Sequence, residues 1–238
     1  TRGAMGAALR AAAVVAGPGV PATTGDAFAD RYYADPAGHF DAYTRGERTF
    51  AGMRRARADE AAAALDLPPL DETTFAAFEA AYRVAFAGAQ LLFEDVEPLL
   101  TAAAAAGVRV GLLTNSGAAV TTDKLTAIGM AGRCPVVVTT DTLGVGKPDP
   151  RIFAYAREQL AVEAPYVVVV GDTLGTDVLG ARRSGLRAAW LQRPGLPEPR
   201  DAGWGTPVTD PGVRVVGMLA EVAQLIGLPG LRGADDRS

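Results

Sequence analysis

The chain has little sulfur and little imidazole: one cysteine and one histidine in 238 residues. A single thiol, Cys134, allows no internal disulfide and suits a reducing cytoplasm. It stands between "AGR" and "PVVV", the place of a small core residue rather than of a nucleophile. The lone histidine, His39, lies in the polar stretch "ADPAGHFDAY" and reads as a surface or turn residue. With no second histidine, and no Ser/His pairing, no triad can be assembled. Basic charge is also short. Lys and Arg number 23 against 27 Asp and Glu, a net charge of −4 with a pI near 5.1. No global positive field draws in nucleic acid or an anionic membrane. No apolar run approaches the length that spans a bilayer. Finally, no Asp-x-Asp occurs anywhere in the chain.

What is present is ordinary for a globular protein: 49% hydrophobic and 21% charged residues, with alanine supplying much of the apolar share. The length suits one large domain or a domain with an insert. Two textures divide it. Residues 1–90 carry helical patterning only, as in "ERTFAGMRRARADEAAAALDL" and "DETTFAAFEAAYRVAFAGA", with Thr73 or Thr74 as N-cap of the second. Residues 91–228 alternate: strand "VRVGLLTNS", helix "AAVTTDKLTAIGM", strand "CPVVVTT", helix "PRIFAYAREQLA", strand "YVVVVGD", helix "DVLGARRSG", strand "RAAWLQR". A Pro/Gly-rich loop, a strand "VRVV" and a helix "GMLAEVAQLIG" come next, and residues 229–238 are expected to fray. This alternation predicts an α/β fold, a Rossmann-like parallel sheet with helices on both faces. Ligands in such sheets bind beyond the carboxyl ends of the strands.

Three strand ends carry polar groups. In "GLLTNSG", Thr114 and Asn115 precede a helix whose first N–H groups suit an anion, while the plain alternative is a turn with Ser116 as N-cap. In "GVGKPDPRIF", Asp149 and Pro150 are explained as N-cap and first helical residue. Lys147 is not so explained: taken alone it reads as a solvated loop lysine, while a lysine held there can act as a point charge on phosphate and carboxylates. In "GDTLGTD", Thr176 caps and Asp177 suits the first helical turn. Asp172 comes after four valines at the end of a strand read as buried, where a carboxylate is costly unless paired or bound to metal. Mg²⁺ is typically held by one or two carboxylates plus phosphate oxygens and water.

In this order and spacing the three pieces resemble the haloacid-dehalogenase-like (HAD) hydrolase superfamily, closely over about residues 95–195. Residues 1–90 look like the α-helical type I cap, and "AYTRGERTFAGMRRARADEAAAAL" is weakly similar to caps of pyrimidine 5′-nucleotidases. The resemblance implies a Mg²⁺-dependent phosphatase acting through an aspartyl-phosphate. Thr114, Asn115 and Lys147 would bind the phosphoryl group, with Thr114, Lys147 and Asp172 the catalytic set. Asp172 would bind Mg²⁺ directly, and Asp177 would bind it through water or orient Lys147. Arg45 and Arg48 could reach substrate from the cap, but solvated arginines flanking a helix are the favoured reading.

The family's first motif, Asp-x-Asp after a central strand, is absent. "LLFEDVEPLL", with Asp95 and Glu97, is rejected as a substitute, because it comes after the cap and fits a linker. "TRGAMGAALR" resembles the segment immediately downstream of that motif. The expectation is therefore a chain cut short at its N-terminus by about a strand and loop, with its first, central strand missing and no catalytic nucleophile. The expected partner is a small phosphorylated substrate, with no nucleic acid or membrane, in a cytoplasmic monomer or homodimer. Alternatives are a 2-haloacid dehalogenase, a sugar phosphomutase, or a non-catalytic phosphate- and metal-binding module.

Overall fold

The computed structural model describes residues 6–12, 22–194 and 210–228. The expected Pro/Gly-rich loop over 195–209 and the expected frayed tail over 229–238 lie outside the described residues. The chain falls into two compact units, one of residues 1–91 and 116–131, the other of 92–115 and 132–238.

Every regular element of the first unit among the described residues is a helix. It comprises α1 (residues 6–12), α2 (Ala22–Ala34), α3 (His39–Thr44), α4 (Phe50–Ala63) and α5 (Glu72–Gly88). In α5 the buried residues are Phe78, Tyr82 and Phe86, spaced by four, so one stripe faces inward. The stripe meets Phe28 and Tyr32 of α2 and Ala58, Ala61 and Ala62 of α4. Phe28 and Phe78 meet edge-on, with ring centroids 5.7 Å apart. The cap of α5 differs from expectation. Asp71, not Thr73 or Thr74, is the N-cap, its carboxylate accepting the Thr74 N–H at 2.7 Å. Asp71 lies outside the helix with extended backbone, which lets its side chain turn back on the third helical N–H. His39 also departs from the surface reading. It opens α3 with a side chain only 16% exposed and its Nε2 3.4 Å from Glu60 Oε2.

Residues 116–131, assigned with the core from the sequence, group with this helical unit. They carry α7 (Ala118–Ala127), which packs on α5.

The second unit begins with α6 (Val96–Ala105) and continues with β1 (Gly111–Leu113), β2 (Val136–Val138), α8 (Thr140–Leu143) and α9 (Pro150–Leu160). Then come β3 (Val168–Gly171), a π-helical turn (Leu174–Leu179), α10 (Gly180–Arg183), β4 (Arg187–Leu191), β5 (Val213–Val216) and α11 (Leu219–Leu225). All strand pairs are parallel. They form two ladders, β1–β2 and β3–β4–β5, so among the described residues β1 and β3 each pair along one edge only. Period-2 alternation in β4 separates the faces. Ala188 and Trp190 join Ile152, Phe153 and Val178 on one side. Ala189 and Leu191 join Val216, Val222 and Leu225 on the other. Helices therefore cover both faces of the β3–β4–β5 sheet, as the sequence predicts.

Two details differ from expectation. The strand after residue 107 is only three residues long, and β3 is half-buried along its whole length rather than buried. A single neighbouring ladder partner leaves each valine of β3 part of its surface. The rejection of Asp95 as a nucleophile agrees with its place. It pairs with Arg193 at 2.8 and 2.9 Å and accepts the Leu219 N–H at 2.9 Å, joining the starts of α6 and α11. Cys134 is buried, and burial pushes its thiol up.

Candidate active site

The carboxyl ends of β1 and β3 bring most of the singled-out residues of the second unit together. Thr114 extends the β1–β2 ladder by one bond, its N–H donating to Val138 O at 3.0 Å. The next residue, Asn115, turns its amide onto the backbone of Lys147. Its Oδ1 accepts the Lys147 N–H at 2.6 Å, and its Nδ2 donates to Lys147 O at 2.8 Å. These two bonds fix the loop "GVGKPDP" at its lysine, where the Lys147–Pro148 peptide is cis. Gly146 makes the approach possible. A Cβ there would stand 2.5 Å from Asn115 Oδ1. Asp149 and Pro150 then start α9 as expected, with Asp149 accepting the Arg151 N–H at 2.9 Å.

Lys147 is the hub. Its ammonium donates to Leu113 O, the last carbonyl of β1, at 3.0 Å. It lies 2.7 Å from Asp177 Oδ1. The two side chains are 14% and 7% exposed, so this is a largely desolvated ion pair. Such a pair is stable only if its remaining hydrogen-bonding capacity is met. The second carboxylate oxygen of Asp177 accepts the Thr173 N–H at 3.1 Å, and the Asp177 N–H returns to Thr173 O at 3.0 Å. Gly171 accommodates this carboxylate. A side chain there would collide with Asp177, so the last residue of β3 cannot carry one without displacing it.

Asp172 lies elsewhere in the hydropathy pattern than its sequence suggests. It is exposed, and its carboxylate has no hydrogen bond or ion pair with any described residue. The buried carboxylate of "GDTLGTD" is Asp177, and the lysine neutralises it. The run of valines suggested a buried strand end at Asp172, but β3 is half-buried and the chain surfaces directly after Gly171. Trp190, which no sequence motif singles out, donates its indole N–H to Asp172 O at 3.3 Å and so fixes the backbone that presents the carboxylate. Ser116, weighed as N-cap of α7, does not fill that role. The cap position is Gly117, with no side-chain bond.

The donor chemistry suits a hard cation. Asp172 offers an exposed carboxylate with no partner among the described residues, and Mg²⁺ is commonly held by only one or two carboxylates while keeping several waters. Asp177 is already paired with Lys147, so its direct contribution is to the lysine.

Comparison with known proteins extends the same pattern. The family described as haloacid dehalogenase-like hydrolase matches residues 6–185. Phosphoserine phosphatase of Thermus thermophilus is 36% identical over 131 residues, 55% of this chain and 49% of that protein. Pyrimidine 5′-nucleotidase YjjG of Escherichia coli is 34% identical over 84 residues, 35% of this chain and 37% of that protein. The chain thus spans about half, or less, of the length of the curated relatives it matches. Among solved structures, the HAD-hydrolase YfnB from Bacillus subtilis, bound to magnesium, aligns with a TM-score of 0.70 at 19% identity, over 95% of this chain and 92% of that one. This last likeness concerns the fold. With parallel ladders, a lysine and aspartates at the strand ends, and a family match over most of its length, the chain belongs to the haloacid dehalogenase-like hydrolase family.

Proposed function

We propose that this chain serves a Mg²⁺-dependent phosphomonoester hydrolase acting on a small phosphorylated metabolite or nucleotide through an aspartyl-phosphate. The observation that carries the proposal is the desolvated ammonium of Lys147. It is held between Leu113 O and Asp177 at the carboxyl ends of β1 and β3, on the same strand end that presents Asp172. A fixed positive charge beside strand ends is suited to a phosphoryl group, whose transfer depends mostly on positioning and charge stabilisation. Thr114 would hold phosphoryl oxygens through its hydroxyl. Asn115 would act by fixing Lys147, since its amide is taken up by that residue's backbone. Asp177 would keep Lys147 charged and aimed. Asp172 would hold Mg²⁺, which when bound neutralises phosphate charge.

The nucleophile belongs to an Asp-x-Asp strand that these residues do not contain. Among the described residues β1 and β3 each leave one edge unpaired, which supports its place between them. The first aspartate would attack phosphorus as the ester oxygen leaves with a proton from the second. Water would then cleave the acyl phosphate, releasing inorganic phosphate and restoring the carboxylate. The 238 residues alone are therefore expected to be inactive. A reducing, cytoplasmic setting fits the single buried thiol.

Two preparations test this: the chain alone, and the chain extended by an upstream strand bearing Asp-x-Asp. Only the extended protein should hydrolyse p-nitrophenyl phosphate, and EDTA should abolish the activity. Equal rates from both preparations would sink the assignment. Activity on 2-haloacids that survives EDTA would make the protein a dehalogenase, and phosphate binding without turnover by the extended protein would make it a binding module.

A further inference from the structure

The chain has twenty-one arginines but only two lysines, Lys124 and Lys147. Positive surface charge is thus almost wholly arginine, and neither lysine is an ordinary solvated one. Lys147 belongs to the site above. Lys124, on α7 in the helical unit, has no role there.

Lys124 is half-buried, and its ammonium lies 5.2 Å from the centroid of Phe86 and 3.0 Å from Ser116 Oγ. It makes no ion pair with any described residue. Phe86 stacks on Tyr82 at 5.3 Å, and the guanidinium of Arg54 lies 4.0 Å from the Tyr82 centroid. Each of the two stacked rings is therefore contacted by a cation. The one carboxylate paired within this group, Glu79, is taken by Arg54, with Nε 2.8 and 2.9 Å from its two oxygens and Nη2 2.7 Å from one. Arg54 and Glu79 cancel, which leaves a single uncompensated positive charge in an apolar setting. Burial, and then the nearby Arg54, push the Lys124 ammonium down to about 8. A desolvated cation beside aromatic faces and within reach of solvent is chemically suited to an anion. The net charge of one selects a monoanion. A phosphate dianion would leave a negative charge beside the rings.

We propose that Lys124, flanked by Arg54 and Ser116, binds the carboxylate of a small metabolite. The site lies entirely in the helical unit, and the inference does not depend on the phosphatase assignment.

Having only two lysines makes the test direct. The full chain, grown with lysine carrying 13C at Cε, gives two signals, assigned with Lys124→Arg and Lys147→Arg. Sodium propionate should move the Lys124 signal saturably in the millimolar range and leave Lys147 in place. Its titration midpoint should rise by about one unit, as an opposite charge at close range requires. Sodium chloride at equal ionic strength should do neither. An unmoved Lys124 signal, or the same response to chloride, overturns the proposal and leaves Lys124 as a structural tie to Ser116. A stronger response to inorganic phosphate than to propionate overturns the carboxylate assignment.

Discussion

The ion pair between Lys147 and Asp177 does two jobs whose energetic signs differ. It places a positive charge, and it buries two ions. Removing one partner strands the other in a desolvated place, a loss of roughly 3–5 kcal/mol for a buried pair. Asp177→Asn should therefore lower stability in urea by about that order, whereas the double change Lys147→Met with Asp177→Leu should cost clearly less. Equal losses would mean that water already compensates the pair. Lys124 gives a prediction of opposite character. Its folded pKa lies below that of a free lysine, so charging it opposes folding. Stability should rise as pH climbs from about 8, its folded value, towards about 10.4, the unfolded one, where the unfolded chain binds more protons. Lys124→Met should flatten that rise, as read by denaturation midpoints across the window. These residues also mark what sequence can and cannot convey. Their identities and spacing singled out Thr114, Lys147, Asp172 and Asp177. Which aspartate is buried, and that Asn115 serves the backbone of Lys147, depend on a partner thirty or more residues away that periodicity does not encode.

Elements were well anticipated where patterning was long and poorly where it was short. The helices of α4, α5 and α9 and every strand after β1 fall where the sequence put them. The one-turn α8 and the six-residue α3 did not announce themselves, because so short a helix is held by its surroundings rather than by its own stripe. The cap of α5 was misplaced by two or three residues for a comparable reason. Threonine and aspartate both cap, and only the backbone decides between neighbours. Asp95 shows how one carboxylate joins elements far apart in sequence. Burial would raise its pKa, yet Arg193 and the Leu219 N–H outweigh it and hold the carboxyl below the usual range. Its contribution is present above about pH 4, the unfolded carboxyl value, and is lost as pH falls through the lower folded value. Asp95→Asn should accordingly weaken the protein at neutral pH but shed less stability on acidification than the parent, by circular dichroism melts from neutral pH downward.

At the scale of the molecule, two cores exist, and each can be damaged separately. Phe78 is fully buried among Phe28, Tyr32 and Phe75. Phe78→Ala should cost about 3–5 kcal/mol through lost burial and the cavity left behind. The division into units was the least readable feature. Residues 116–131 come directly after a strand of the sheet in sequence yet group with the helical unit, and a linear pattern carries no sign of that.

Trp190 turns the geometry of the sheet into an optical instrument. Its indole is buried, and its N–H rests on the carbonyl of Asp172, the residue proposed to hold the cation. Emission from Trp190 should report charge arriving one side chain away. With the other tryptophan silenced as Trp204→Phe, adding Mg²⁺ should change the intensity or wavelength of fluorescence, and Asp172→Asn should abolish the response. A protein whose tryptophan ignores Mg²⁺ would place the cation away from Asp172. One that responds would let occupancy be followed by light alone, in a chain that need not turn over any substrate.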